Sequence, residues 1–310
     1  REIYGDDIEW RAGGYCFVAY EQQVKKTLQD LLACQKSFGL NIGWLEAEGI
    51  RAIIPDIQME GLLGGTFSPE DGSASPMKTC FAFYRHAKEA GAEFHFNEPV
   101  IQIGTGSGQI QSVTTAQGTY ACKYLINAAG SWAADISNLV GIPLPVKPEA
   151  HEAGITEPVQ PMFSPMIVDI RPREGSSNFY FYQHPTGKII FCLTPNPPIL
   201  GNYCQDTSAF LPLASQRLIE LMPKLMNLRV RRTWRGTYPI TPDGLPIFGR
   251  TEALDGYLLA AGVCGQGYML GPGVGMLLTH LIEGRLNAAE EECLRALRLD
   301  RSFTSAEKLK

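Results

Sequence analysis

The chain contains 310 residues, of which 45% are hydrophobic and 19% are charged, and its formal net charge at pH 7 is −5. This composition is ordinary for a soluble globular protein, and the length provides for one large or two modest domains. The acidic balance and the scattered Lys and Arg residues argue against a nucleic-acid or anionic-membrane partner. No apolar run approaches the roughly 20 residues of a membrane span, and the eight cysteines form no CxxC pair and no zinc-type spacing with histidine. We therefore expect a cytoplasmic protein with reduced thiols and no metal site.

Hydrophobic spacing predicts helices and strands that alternate along the chain. The predicted elements are, in chain order, a strand at 15–20, a helix at 21–40, a helix at 76–91 with proline in its first turn and a short strand after it, two strands around a Gly-Ser tip at 100–118, an apolar strand that ends at Gly130, three strands between 146 and 200, a helix at about 208–222, a strand-and-turn region at 229–249, an apolar strand at 256–263 and a helix that begins at Gly271-Pro272. This mixture of crossover units and antiparallel runs indicates a mixed α/β fold.

The segment GTGSG at 104–108 contains part of a dinucleotide fingerprint in the wrong context. Such a fingerprint needs a helix after it, because the phosphates bind the free N–H groups at the start of that helix. The residues that follow, QIQSVTTAQG, alternate as a strand. We therefore predict a hairpin tip here, without a phosphate role.

Two other segments have the small residues that let a ligand approach the backbone. In YLINAAGSW (124–132), an apolar strand ends in Ala128-Ala129-Gly130, at the strand end where α/β folds bind ligands; tight strand–helix packing explains these residues equally well. In GVCGQGYMLGPGVG (262–275), six glycines precede an apolar helix. The unpaired N–H groups and positive dipole at a helix start favour an electron-rich ligand, and we prefer this interpretation to close packing alone.

Three segments taken together resemble one family. NAAGSWAADI, TPDGLPIFG and AAGVCGQGYMLGPGVGMLL occur in the order and at the spacing of the D-amino-acid-oxidase-like flavoproteins. RAGGYCFVAY, GGTFSPEDGSASP and LDRSF are similar to the branch that contains the sarcosine oxidase β-subunit and dimethylglycine dehydrogenase. The resemblance covers nearly the whole chain.

The resemblance implies a discontinuous FAD-binding domain of the glutathione-reductase type and an antiparallel β-sheet substrate domain with flanking helices. It assigns 1–66 and 146–240 to the substrate domain, and 67–145 and 241–310 to the FAD domain. The family's GxGxxG unit, which precedes these segments, has no counterpart in the sequence. We therefore expect that unit to come from upstream sequence or from a separate chain, and that this chain alone binds FAD poorly.

The implied reaction is oxidation of a secondary or tertiary amine or an amino acid, such as a sarcosine-, dimethylglycine- or proline-like substrate. Hydride passes from the carbon beside nitrogen to flavin N5, and the imine then hydrolyses; the protein supplies orientation and electrostatics. Two alternatives stay open: a non-catalytic or truncated subunit that keeps the fold for assembly, and an FAD-dependent oxidoreductase for another substrate such as glycerol 3-phosphate.

Site residues follow from the same resemblance. Tyr182 and Tyr238 are expected to face the substrate, each with an ordinary sheet aromatic as the alternative. The expected cofactor contacts are the adenine-side backbone at Val100, the small residues near the phosphate-ribose portion at Ala129 and Gly130 with Trp132 beside them, and the loop under the flavin pyrimidine edge at Gly265, Gln266, Gly267, Tyr268 and Met269.

The sequence also departs from the family pattern. Met269 occupies the position where sarcosine oxidases have a Lys that binds the substrate carboxylate, and Arg235 is the candidate replacement, with a solvated strand arginine as the alternative. Gly236 stands where monomeric oxidases attach flavin to a Cys, so we expect non-covalent FAD. A second flavin, FMN, at Glu149 or His151 is left open beside the simpler interpretation of His151 as a surface histidine.

Overall fold

The computed structural model describes residue 5 and residues 7–304. In this part the chain forms seven α-helices and sixteen β-strands. The helices are α1 (Gln22–Ser37), α2 (Ala47–Ile53), α3 (Pro76–Glu89), α4 (Ala133–Asn138), α5 (Phe210–Leu221), α6 (Gly267–Glu283) and α7 (Ala288–Leu297). The strands are β1 (Arg11–Ala12), β2 (Tyr15–Ala19), β3 (Gly43–Leu45), β4 (Gly64–Ser68), β5 (Gly72–Ser73), β6 (Val100–Gly106), β7 (Gln109–Thr115), β8 (Thr119–Ala121), β9 (Leu125–Asn127), β10 (Lys147–Thr156), β11 (Met166–Asp169), β12 (Gly175–Gln183), β13 (Ile189–Asn196), β14 (Val230–Ile240), β15 (Ile247–Arg250) and β16 (Tyr257–Ala261). A search of the helices between residues 7 and 304 finds no candidate for a membrane span.

The largest element is an eight-stranded sheet in the order β14-β10-β13-β12-β11-β2-β4-β3. Its strands come from two separate stretches of the chain, 15–68 and 147–240. The stretches meet where β2 and β11 pair in parallel, with Tyr15 opposite Met166. The other neighbours are antiparallel. Because side chains alternate along each strand, the sheet has two distinct faces.

One face of this sheet carries the main hydrophobic core. Phe179 and Phe181 of β12 and Phe191 of β13 are buried there, together with residues of α2 and α5. The ring of Phe179 is tilted against those of Phe181 and Phe191, with interplanar angles of 36° and 39°. This packing closes one face and leaves the opposite face for other contacts.

A second core surrounds a three-stranded sheet in the order β15-β16-β9. β16 and β9 are parallel, with Leu258 opposite Ile126, so their carboxyl ends meet at one edge. The buried Tyr257 hydroxyl anchors this sheet to α4, because it lies 2.7 Å from Ser137 Oγ and accepts a hydrogen bond of 2.9 Å from Asn127 Nδ2. The residues that follow β9 and β16 are the two small-residue segments noted in the sequence.

The mixed α/β class predicted from the sequence is confirmed. The hairpin prediction for GTGSG is also confirmed: β6 and β7 are antiparallel neighbours, and Ser107 and Gly108 form the tip with φ angles of 52° and 76°. Such left-handed turns match the twist of paired strands.

Three local predictions were wrong or incomplete. The last long helix begins at Gly267 instead of Gly271, and Pro272 lies inside it. Pro272 lies in the second turn, where its missing N–H removes one hydrogen bond of the helix. The expected strand after α3 is not formed by residues 92–96, which have no strand partner among the described residues. The short helix α2 and the terminal helix α7 were not predicted.

Candidate functional site

The glycine-rich segment 262–275 packs its first turn against a tyrosine. A Cβ added to Gly265 would lie 2.8 Å from Cε2 of Tyr238, and one added to Gly267 would lie 2.7 Å from the Val263 side chain. These distances are too short for a real side chain, so glycine is required here. The loop before α6 therefore contacts β14 directly at Tyr238.

Farther along α6, the glycines border open space. A Cβ added to Gly271, Gly273 or Gly275 would meet no atom within 4 Å, and the same holds for Gly130 after β9. The methionine side chains beside this row are also exposed, 70% for Met269 and 59% for Met276. Close packing therefore does not explain these glycines, and their surface is free to receive a flat ligand or another polypeptide.

A cluster of aromatic and ionisable side chains lies on the sheet face that the main core leaves open. The hydroxyl oxygens of Tyr180 and Tyr238 are 3.1 Å apart. The ring of His151 stacks on the ring of Tyr238, with 4.0 Å between centroids and 21° between planes. Strand pairing explains the cluster, because Glu149 of β10 lies opposite Tyr238 and His151 lies opposite Gly236.

His151 is almost fully buried, with 4% of its surface exposed. Its Nε2 donates a hydrogen bond of 2.9 Å to the Glu149 carboxylate. Its Nδ1 is buried and has no hydrogen-bond partner within residues 7–304. A buried polar atom without a partner is costly, and Nδ1 is the atom of this cluster whose hydrogen-bonding capacity is unfilled within the described residues.

Burial controls the protonation of the two tyrosines. Desolvation raises the pKa of Tyr238, and it raises the pKa of Tyr180 well above the usual value for a phenol. Burial also raises the pKa of the neighbouring Cys192 thiol to about 11. All three groups are therefore neutral near pH 7, and the tyrosines act as hydrogen-bond donors.

Tyr182 lies on the same sheet face as Tyr180, two residues farther along β12. Its side chain is half-buried, and desolvation raises its pKa. It lines a cavity of about 220 Å³. The structure thus places both sequence-predicted tyrosines, Tyr182 and Tyr238, on one surface, with Tyr180 between them along the sheet.

Arg235 lies on the opposite face, and the structure therefore contradicts its expected position. It stands three residues before Tyr238 on β14 and opposite Glu152 on β10, and its Nη2 is 3.0 Å from the Glu152 carboxylate. Both side chains are more than nine-tenths buried. Arg235 is neither a solvated strand arginine nor a neighbour of the two tyrosines, because strand alternation turns its side chain away from them.

The small residues after β9 approach β14, the strand that carries Tyr238 and Arg235. Ser131 Oγ donates a hydrogen bond of 2.8 Å to Thr237 Oγ1, which joins the 128–132 turn to β14. Gly130 adopts a left-handed φ of 56°, and the Trp132 side chain is 53% exposed. Ala129 and Trp132 therefore lie next to the strand that carries Tyr238, whereas Val100 begins β6 and packs at the edge of the second core.

Comparison with known proteins decides the family. The sequence model of the FAD dependent oxidoreductases, DAO, matches residues 1–281. The chain belongs to the DAO family. The resemblance found in the sequence is thereby confirmed.

Individual members of the DAO family are similar over most of this chain. The HcnC subunit of hydrogen cyanide synthase from Pseudomonas protegens is 26% identical over 90% of this chain and 65% of its own length. Sarcosine oxidase subunit beta from Rhizobium meliloti is 23% identical over 85% of this chain and 62% of its own length. The crystal structure of L-proline dehydrogenase from P. horikoshii superposes with a TM-score of 0.86 and 30% identity, over 94% of this chain and 77% of that one. The chain thus spans about two thirds of the length of the two curated relatives.

The residues present fit the flavin that DAO-family membership implies. The row Gly271, Gly273 and Gly275 leaves open space along α6, because a Cβ at each of these positions would meet no atom within 4 Å. The first turn of α6 has N–H groups without intrahelical acceptors, and its N-cap residue Gln266 makes no side-chain capping bond. These groups are suited to the electron-rich pyrimidine edge of a flavin.

Reasoning from the sequence missed the pair Glu149–His151 as part of this surface. His151 was interpreted as a surface histidine, and the structure shows it buried against Tyr238. The signal was the spacing of Glu149 and His151, which puts both side chains on one face of a strand. Tyr180 was also missed, although it lies two residues from Tyr182. Attachment of FMN at Glu149 or His151 stays a prediction.

Proposed function

We propose that this chain provides the substrate-binding sheet and most of the FAD site of an oxidoreductase that acts on a secondary or tertiary amine or an amino acid. The observation that carries this proposal is the buried His151 Nδ1 without a partner, stacked on Tyr238 beside the glycine-rich loop. The predicted division into substrate segments (1–66, 146–240) and FAD segments (67–145, 241–310) is part of the proposal.

FAD would be held by backbone groups. The turn at Ala129 and Gly130, with Trp132 beside it, would lie along the phosphate-ribose portion, and Val100 would pair with the adenine. Residues 265–269, at the start of α6, would lie under the pyrimidine edge, where the helix dipole stabilises negative charge. Bound FAD accepts the two electrons of a C–H bond beside the substrate nitrogen. We expect the flavin to be non-covalent, because Gly236 has no side chain to attach it.

The polar cluster would prepare the substrate nitrogen. A protonated amine has no free lone pair, so it must lose a proton before its neighbouring C–H bond is oxidised. His151 Nδ1 would accept that proton, and Glu149 holds the ring through Nε2. The neutral phenols of Tyr180 and Tyr238 would orient the substrate and limit the entry of water.

Another polypeptide segment would complete the site. β9 is an edge strand of its sheet, and the side chains of Met77 and Phe81 on α3 are 80% and 63% exposed. An open strand edge favours pairing with a further strand, and exposed apolar side chains favour contact with another protein surface. We propose that a nucleotide-binding unit, encoded upstream or carried by a separate chain, covers this surface.

The first test is the visible spectrum of the purified full-length gene product after FAD is added and unbound FAD is removed. We expect flavin absorbance, bleaching under anaerobic conditions by N-methyl amino acids or prolines, and release of the flavin by acid. Absence of flavin absorbance would support the alternative that the chain is a non-catalytic subunit. Bleaching by glycerol 3-phosphate alone would support the alternative of an FAD-dependent oxidoreductase for another substrate.

A pair of glycine variants tests the position of the cofactor. Gly273→Leu adds a side chain in open space at the proposed flavin site, and Gly43→Leu adds one in open space on β3, where no flavin contact is proposed. Both variants should fold. We expect Gly273→Leu to weaken FAD binding, measured by flavin fluorescence, at least tenfold relative to Gly43→Leu; equal affinities would refute the placement.

A further inference from the structure

Arg11 is held on a short strand beside the substrate-facing tyrosines. β1 pairs with β5, with Arg11 opposite Ser73, and the N–H groups of Gly13 and Gly14 both donate to the Asp71 carbonyl, at 3.1 and 2.7 Å. A Cβ added to Gly72 would lie 2.1 Å from the Arg11 carbonyl oxygen. The backbone of Arg11 is therefore fixed in place by close contacts with residues 71–73.

Two adjoining cavities share the Arg11 side chain. The first, of about 220 Å³, and the second, of about 270 Å³, have four common residues besides Pro185: Arg11, Ser73, Tyr182 and His184. Tyr182 connects these cavities to the polar cluster, because Tyr180 lies two residues away on the same strand face, a spacing of about 7 Å. Arg11 thus borders the space that leads from the solvent to Tyr182.

No ion pair with residues 7–304 compensates the charge of Arg11 in this space. No Asp or Glu lines the first cavity. Glu9, the acid that lines the second, binds Lys78 Nζ at 2.8 Å. Among residues 7–304 the exposed Arg11 side chain forms no ion pair and no hydrogen bond to another side chain. A guanidinium with five free donors matches a carboxylate geometrically and electrically.

We propose that Arg11 binds the carboxylate of the substrate, which makes the substrate an amino acid or N-alkyl amino acid instead of a simple amine. This inference rests on the proposed function. If Arg11 binds the carboxylate, the chain needs no Lys at position 269, where it has a Met. It also does not need Arg235, which is bound to Glu152 on the other sheet face. Ser73 and Ser164, which line the same cavity, supply hydroxyl groups near the carboxylate.

The first test is ligand binding, measured by calorimetry on the full-length FAD-loaded protein. Pyrrole-2-carboxylate is the probe, and pyrrole and inorganic phosphate are its controls. Arg11→Met should weaken binding of the carboxylate by roughly 10- to 100-fold, which is the usual effect of losing charged hydrogen bonds. Arg11→Lys keeps the positive charge and should lose less of this affinity. Arg231→Met, at an exposed strand arginine, should leave binding unchanged. Equal affinity for phosphate and the carboxylate, or equal binding by Arg11→Met and wild type, would overturn the proposal.

The second test compares turnover of proline with turnover of pyrrolidine, which lacks the carboxylate. Wild type should prefer proline, and Arg11→Met should lose most of that preference through KM, with a smaller change in kcat. If both substrates bleach the flavin equally in the wild type, the Arg11 inference fails and the oxidoreductase proposal stands. If neither bleaches it, the proposed function fails, and the calorimetry still decides whether Arg11 binds a carboxylate.

Discussion

The two faces of the eight-stranded sheet use the same strands for different purposes. One face buries Phe179, Phe181 and Phe191 against helices and pairs its ions, as Arg235 does with Glu152. The other carries the neutral tyrosines Tyr180 and Tyr182 and the buried His151, whose Nδ1 has no hydrogen-bond partner among residues 7–304. Residues one position apart on β12 thus have either a structural or a functional role, and the difference comes from strand alternation alone.

The largest effect on stability is expected on the closed face. Phe181→Ala removes a fully buried ring and should lower the free energy of unfolding by about 3–5 kcal/mol, measured by urea denaturation. The matched change on the open face, Tyr182→Ala, removes a half-buried ring and should cost clearly less. Equal losses would mean that the two faces do not differ as described.

The buried ion pair gives the next largest effect. Glu152→Gln leaves the Arg235 guanidinium buried without its counter-charge, and we expect a loss of about 3 kcal/mol in the free energy of unfolding. The double change Glu152→Gln with Arg235→Met should recover part of that loss. A single variant as stable as the wild type would show that the pair is not desolvated.

On the open face, the expected effect is on activity instead of stability. His151→Gln removes the proton acceptor at Nδ1 and should lower kcat by about 100-fold with the best amine substrate, while the midpoint of thermal unfolding changes little. His95→Gln, at a histidine whose side chain is 46% exposed, is the control and should keep full activity. Full activity in His151→Gln would remove this residue from the reaction.

The smallest expected effect is on the pH dependence of the free energy of unfolding, to which Tyr180 contributes and an exposed tyrosine does not. The pKa of Tyr180 is raised in the folded chain, so above pH 10 the unfolded chain releases a proton that the folded chain keeps. Tyr180 then lowers stability as pH rises, by about 1.4 kcal/mol per pH unit. Because burial also raises the pKa of Tyr182, Tyr238 and Cys192, Tyr180→Phe should reduce the slope of stability against pH by this amount without abolishing it, measured by denaturation at pH 9 to 11. Tyr203→Phe, at a tyrosine that is 58% exposed, should leave the slope unchanged.

The sequence was sufficient where local chemistry decides the structure. The turn at Ser107-Gly108 and the proline-led start of α3 follow from the residues themselves. The positions of His151 and Arg235 do not, because they depend on how β10 and β14 align. A shift of one residue in that register would turn every side chain of the shifted strand to the other face. The role of Arg11 likewise depends on the pairing of β1 with β5, strands too short to show a periodic pattern.

The parallel pairing of β2 with β11 has a consequence for the order in which the protein folds. Strands β2, β3 and β4 leave the ribosome early, and their partner β11, with Met166 opposite Tyr15, follows only after α3, β9 and α4 have been made. Until then the outer edge of β2 has no neighbour, and contacts so distant in sequence form slowly. The edge of β2 that faces β11 therefore stays open while the segment between the two strands is synthesised, and during that time it is exposed to pairing with other chains.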